Sequence, residues 1–168
     1  MGERVHPVPS SSSARLACAL ATVCGIGRFP WAPGTWGSLA GLFLGMMIVR
    51  LLNPSCVWAA LLLALTLPVC AVVCTAAEQA LDQHDAPAII LDEVWAMASI
   101  VMMLPWTLIS WRSLVAAFLL FRLFDIIKPW PLKRLAQLPG GWGVMMDDLG
   151  AAGYAMSILW VIRRLFHM

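Results

Sequence analysis

All but one of the nine acidic residues in this sequence fall in three clusters. These are Glu78, Asp82 and Asp85; then Asp92 and Glu93; then Asp125 with Asp147 and Asp148, Glu3 alone standing apart. Each cluster abuts an apolar run, whereas solvated surface charge is ordinarily scattered. Adjacent carboxylates repel, and beside a low-dielectric phase the cost rises unless a cation or a proton relieves it. A divalent metal is one relief. Magnesium suits such donors, because it takes oxygen ligands, commonly one or two carboxylates completed by waters and phosphate oxygens. Each acidic pair alone has a plainer explanation, since acids at a helix start favour the macrodipole. Two such pairs gathered on one face, with further acids beside them, point to a metal.

Cations accompany the acids. In "FRLFDIIKPWP", residues 121–131, Arg122, Asp125 and Lys128 follow at i, i+3 steps, which predicts a helix carrying all three on one stripe. An arginine fork matches a pair of phosphate oxygens, so Arg28, Arg122 and Lys128 are candidate phosphate contacts, with neutralisation of nearby acids as their simpler role. The stretch "GIGRFPWAPGTWGSL", residues 25–39, is a Gly- and Pro-rich turn in which Thr35 and Ser38 are expected as N-caps of the first apolar helix. Free N–H groups at such a helix start receive anions. No phosphate loop of the G-x-x-x-x-G-K-[ST] type, no G-x-S-x-G elbow and no D-x-D motif is present. His84 beside Asp85 is a candidate acid or base whose ordinary role is a solvated loop residue. Metal-assisted hydrolysis is the chemistry that remains.

The elements that must position these groups are apolar. The chain of 168 residues is 61% hydrophobic and 12% charged, against about a quarter charged in soluble domains. It reads as an all-α, polytopic membrane helix bundle of four or five apolar helices with a polar site at one membrane face. Residues 1–14 read as a disordered polar tail and 15–168 as one membrane-embedded domain. Apolar runs fall near 37–52, 56–77, 94–111, 113–124 and 149–162, several shorter than the ~20 residues that cross a bilayer core. One of them is therefore open to being buried without crossing. Pro68 and Pro105 are expected to kink the second and third runs, and Gly37, Gly41 and Gly45 form a smooth stripe best read as packing. If the runs alternate across the bilayer, segments 25–36, 78–93 and 124–148 emerge on one side, and the basic residues place that side in the cytoplasm. A net charge of +2 with no long basic run excludes a nucleic-acid role. Five cysteines without metal or disulfide spacing read as packing residues, and nothing fixes the oligomeric state.

Four segments are distinctive together: "APGTWGSL" (32–39), "HDAPAIILDE" (84–93), "FRLFDIIKPWP" (121–131) and "GGWGVMMDDLGAAG" (140–153). In order and spacing they closely resemble the signature segments of the phosphatidylglycerophosphatase A family, over roughly residues 25–154. The resemblance implies a bacterial inner-membrane phosphatase. Such an enzyme removes the terminal phosphate of phosphatidylglycerophosphate to give phosphatidylglycerol, with Mg2+ required and a bilayer phospholipid as substrate. Carried over by motif, Asp92, Glu93, Asp125 and Asp148 are the catalytic acids, with Asp148 and Asp125 the leading candidates for general base. Asp92, Glu93, Asp147 and Asp148 are the metal-holding set. Thr35, Ser38, Arg122 and Lys128 are substrate contacts, and Arg28 lies just outside the matched segment. Where the family's motif has glycine three residues after its Glu, this sequence has Ala96. Alternatives from other classes are a small ion or proton transporter, which acids clustered at span ends disfavour, and a catalytically silent membrane partner.

Overall fold

The computed structural model describes residues 11–105 and 109–166. Every regular element among them is helical: α1 (Ser12–Ala21), a 3-10 turn at Ile26–Arg28, α2 (Pro33–Leu52), α3 (Cys56–Leu81), α4 (Leu91–Met103), α5 (Trp111–Ile127), α6 (Leu132–Leu135) and α7 (Gly141–Phe166). Among them α2 and α3 are long and apolar enough to cross a membrane. Their outer faces leave Phe43, Leu51, Val57, Leu65, Val69 and Val72 more than half exposed. Soluble monomers do not leave contiguous apolar surface of that extent to water.

Ser11 caps α1, its hydroxyl accepting the Ala14 N–H at 3.1 Å, so the first residues of α1, Ser12 to Ala14, lie within the stretch read as tail. Residues 1–10, assigned to the tail, lie outside the described residues, as do 106–108, assigned to the third apolar run. That run was expected to stay helical to residue 111 and kink at Pro105. Instead α4 stops at Met103, and Leu104 is extended (φ −70°, ψ 131°), as a residue preceding proline prefers. By contrast, α3 continues through Pro68.

With 13 residues, α4 is about 20 Å long. It is the buried centre of the bundle: Val94 to Met102 are all buried, and α2, α3, α5 and α7 pack around it. The closest partner is α2, for a steric reason. Gly34, Gly37, Gly41 and Gly45 are buried, and a Cβ at Gly45 would stand 2.8 Å from Val101 Cβ, one at Gly41 2.9 Å from Val94 Cα. The predicted glycine stripe is thus a helix-packing seam, one step longer than expected. Ala96 lies fully buried within regular helix, so no glycine-only backbone geometry is called for there.

The start of α7 is set by α3. Gly140 is left-handed (φ +60°), and the Gly141 N–H donates to Thr75 Oγ1 at 2.8 Å while that hydroxyl donates to Ala71 O at 2.8 Å. This docking begins α7 eight residues before the apolar run at 149.

Candidate active site

One cavity of about 260 Å³ opens at the end of the bundle where α2, α4 and α7 begin and α5 finishes. Its wall includes Pro33 and Gly34 from α2, Asp85 from the α3–α4 loop, Asp92 and Glu93 from α4, Arg122, Asp125 and Lys128 from the end of α5, and Asp147 and Asp148 from α7. Acids distant in the sequence do converge, and the segments expected on one side by alternation meet there.

The two acidic pairs reach the cavity differently. Asp92 and Glu93 occupy the first turn of α4, where the dipole favours them. Asp147 and Asp148 lie two turns inside α7, so the helix-start explanation considered for them is wrong, because that effect fades within the first turn. Asp147 has both oxygens engaged: Oδ2 with the Lys128 ammonium, and Oδ1 accepting the Asp148 N–H at 3.1 Å. Among the described residues, three buried side-chain oxygens have no hydrogen-bond partner: Asp92 Oδ1, Glu93 Oε2 and Asp148 Oδ2. Buried carboxylate oxygens without donors are costly, and a cation is the group that satisfies several at once.

Arg122 Nη1 lies 2.5 Å from Asp125 Oδ2 and 3.8 Å from Glu93 Oε1. A Cβ on Gly34 would press on Glu93 Oε1 and stand 2.9 Å from Arg122 Nη1, so a side chain there would displace the ends of this pair. Lys128 is not on the helical stripe predicted for it. It is the left-handed C-cap of α5 (φ +46°), and that reversal turns its side chain across to α7. Burial alone would lower the Lys128 pKa, but the hydrogen bond and charge of Asp147, with Asp85 and Asp125, hold it above the ordinary lysine value.

Other predicted contacts fall elsewhere. Arg28 is exposed on the 3-10 turn and does not line the cavity. Thr35 and Ser38 are not N-caps: the cap is Ala32, Pro33 takes the first helical position, and Ser38 is buried with its hydroxyl donating to Gly34 O at 2.8 Å. Neither lines the cavity. Asp85 does, although the motif assignment passed over it; its place in the acidic cluster 78–85 was the available signal. Glu78 and His84 form a pair at 2.8 Å, with the His84 side chain still largely exposed to solvent.

Residues 19–163 match the family profile described as Phosphatidylglycerophosphatase A. The chain belongs to the phosphatidylglycerophosphatase A family. A relative of that name from Haemophilus influenzae is 36% identical over 145 residues, covering 86% of each chain. Another from Escherichia coli K12 is 34% identical over 146 residues, 85% of this chain and 81% of that one. A Bacteroides thetaiotaomicron protein named putative phosphatidylinositol-3-phosphatase is 28% identical over 149 residues, 88% of this chain and 94% of that one. No solved structure matches. The four segments on which the resemblance rests, 32–39, 84–93, 121–131 and 140–153, supply the residues that line the cavity.

Proposed function

We propose that this protein is a phosphatidylglycerophosphatase, a membrane phosphomonoester hydrolase converting phosphatidylglycerophosphate to phosphatidylglycerol and phosphate. The observation that carries the reading is a single cavity in which unpartnered buried carboxylates face two cationic side chains. A phosphate monoester needs both: donors for its oxygens and acids for a divalent cation and a proton.

Magnesium fits the donor set. Among the described residues no three His, Cys, Asp or Glu side chains stand as a ready-made ligand cluster. Magnesium does not need one, because one or two carboxylates plus waters and substrate oxygens complete its shell. Asp92 and Glu93 would hold it through the oxygens that lack partners, leaving Asp148 Oδ2 free, with Asp147 tied to Lys128 and serving to place that cation. When bound, the metal supplies Lewis-acid polarisation of the phosphoryl group and acidifies water.

The chain's own residues do the rest. Arg122, held by Asp125 and Glu93, and Lys128, held by Asp147, offset the charge developing on the phosphoryl oxygens. Asp148 takes the proton of the attacking water through its free Oδ2, a role that Asp125, committed to Arg122, fills less well. Water's oxygen bonds to phosphorus as the bond to the glycerol oxygen breaks, that oxygen takes a proton from solvent, and phosphatidylglycerol departs as the alcohol while Asp148 returns its proton to water. The bundle spans the bacterial inner membrane with the cavity on the cytoplasmic face. Exposed Trp31 and Trp130, next to the cavity segments, anchor that end at headgroup level, so a lipid presents its phosphate while its chains stay in the bilayer.

Phosphate release from phosphatidylglycerophosphate in mixed micelles tests this. Purified protein is expected to turn over with magnesium, lose activity in EDTA and recover on magnesium addition. Full activity in EDTA removes the metal; no release under any condition removes the function.

A further inference from the structure

The third helix contributes no side chain to the cavity, yet its last turns hold pieces of it in place. Thr75 caps α7, and one turn on, Glu78 clasps the loop between α3 and α4. Glu78 is buried, 6% exposed, and sits one helical turn before the left-handed C-cap Asp82. Its Oε1 accepts the Asp85 N–H at 2.8 Å and lies 2.8 Å from His84 Nδ1, the imidazole covering the carboxylate from the solvent side.

The bond matters because of where Asp85 stands. Its backbone is left-handed (φ +50°), a conformation that most L-residues avoid and that aspartate tolerates better than most. Its side chain lines the cavity with Lys128, Asp147 and Asp92. The two ends of the loop are pinned independently: Gln83 N–H donates to Glu78 O at 3.1 Å, and Ile90 N–H to Ala21 O at 3.0 Å. A turn also closes inside the loop, Ile89 N–H donating to Ala86 O at 2.8 Å, and the Glu78 carboxylate is the side chain that holds the Asp85 N–H, where Asp85 turns inward.

We propose that Glu78 is a positioning residue for the phosphatase reaction, fixing the Asp85 backbone so that the Asp85 carboxylate forms part of the cavity wall. This rests on the hydrolase reading above. It gives a function to a buried acid that the mechanism otherwise leaves unused, and it adds Asp85 to the working wall of the site.

A double-mutant cycle tests it. E78A and D85N are each expected to lower kcat/KM by about tenfold to a hundredfold, the scale of a small misplacement near the chemistry. E78Q keeps an acceptor oxygen for the Asp85 N–H and recovers most of the E78A loss. Because Glu78 acts through Asp85, E78A/D85N is expected to be no slower than the slower single variant. Losses that multiply, or an E78Q as slow as E78A, overturn the proposal. H84A strips the other partner from Glu78 and serves if E78A does not fold; its smaller loss should vanish in the D85N background, and a loss that persists there overturns the proposal equally. Hydrogen exchange across residues 79–90 reads the clasp without turnover. The Asp85 amide should exchange faster in E78A, or in H84A, than in wild type, and equal rates overturn the clasp. A wild type that releases no phosphate refutes the hydrolase reading, and the exchange comparison still decides the clasp.

Discussion

Asp92 Oδ1, Glu93 Oε2 and Asp148 Oδ2 are buried without a hydrogen-bond partner, so each is an acid held at a cost to the fold. This sets activity and stability against each other at the same atoms. Asp148→Asn should lower phosphate release by at least about 100-fold, the scale of a lost general base. It should also raise the unfolding temperature in detergent, because one charge leaves a crowded acidic site. Unchanged turnover would remove Asp148 from the chemistry, and a lower unfolding temperature would remove the argument from repulsion. Lys128→Met should do the reverse for stability. Asp147, 3% exposed, loses its partner, and breaking a buried pair from one side costs about 3 kcal/mol. The pH dependence has a definite sign. The folded Lys128 pKa lies above its ordinary 10.5, so its stabilisation is complete below that value and is lost as pH rises through the higher folded one. The stability gap between wild type and Lys128→Met should therefore close in strong alkali, as thermal unfolding at stepped pH would record.

Helices α2 and α4 can form the wall of the site only because their backbones nearly touch. Gly41→Val should abolish recovery of folded, monodisperse protein, since a side chain there meets Val94 backbone atoms that cannot give way. Gly153→Ala on α7 is the matched control. A Cβ there meets nothing within 4 Å, so stability should hold or rise by up to about 1 kcal/mol. Size-exclusion profiles and unfolding temperatures of the two variants check this, and a folded Gly41→Val protein would contradict the seam. Such packing was legible in the sequence as a four-residue glycine spacing, and the acids were legible as clusters at the ends of apolar runs. What the sequence hid was structure set by tertiary contact. The cap that Thr75 supplies to Gly141 brings Asp147 and Asp148 two turns inside α7, and α1 is a short helix whose buried Cys18 and Ala21 accompany packing along α3. Thr35 and Ser38 misled because Pro33 already opens α2, which leaves their hydroxyls inside the helix. Lys128 misled because one left-handed residue ends the stripe that i, i+3 spacing implies.

At the scale of the whole molecule, the cavity needs every contributing segment at one end of the bundle, and that end must face the compartment that supplies the substrate. Two native cysteines report on both requirements. Cys24 is exposed in the connection between α1 and α2, beside the cavity end, and Cys56 is exposed at the start of α3, after α2 has run to the opposite end. Cys18 and Cys74 are buried. In variants retaining only one of the two exposed thiols, a charged maleimide added outside spheroplasts should label Cys56 and spare Cys24. In inverted vesicles the pattern should reverse. If both thiols react from the same side, α2 does not carry the chain across the bilayer and the alternation that gathers the acids fails. If they react from opposite sides but with Cys24 outward, the bundle survives and the site faces away from the cytoplasm, so the headgroup would have to be hydrolysed on the other leaflet.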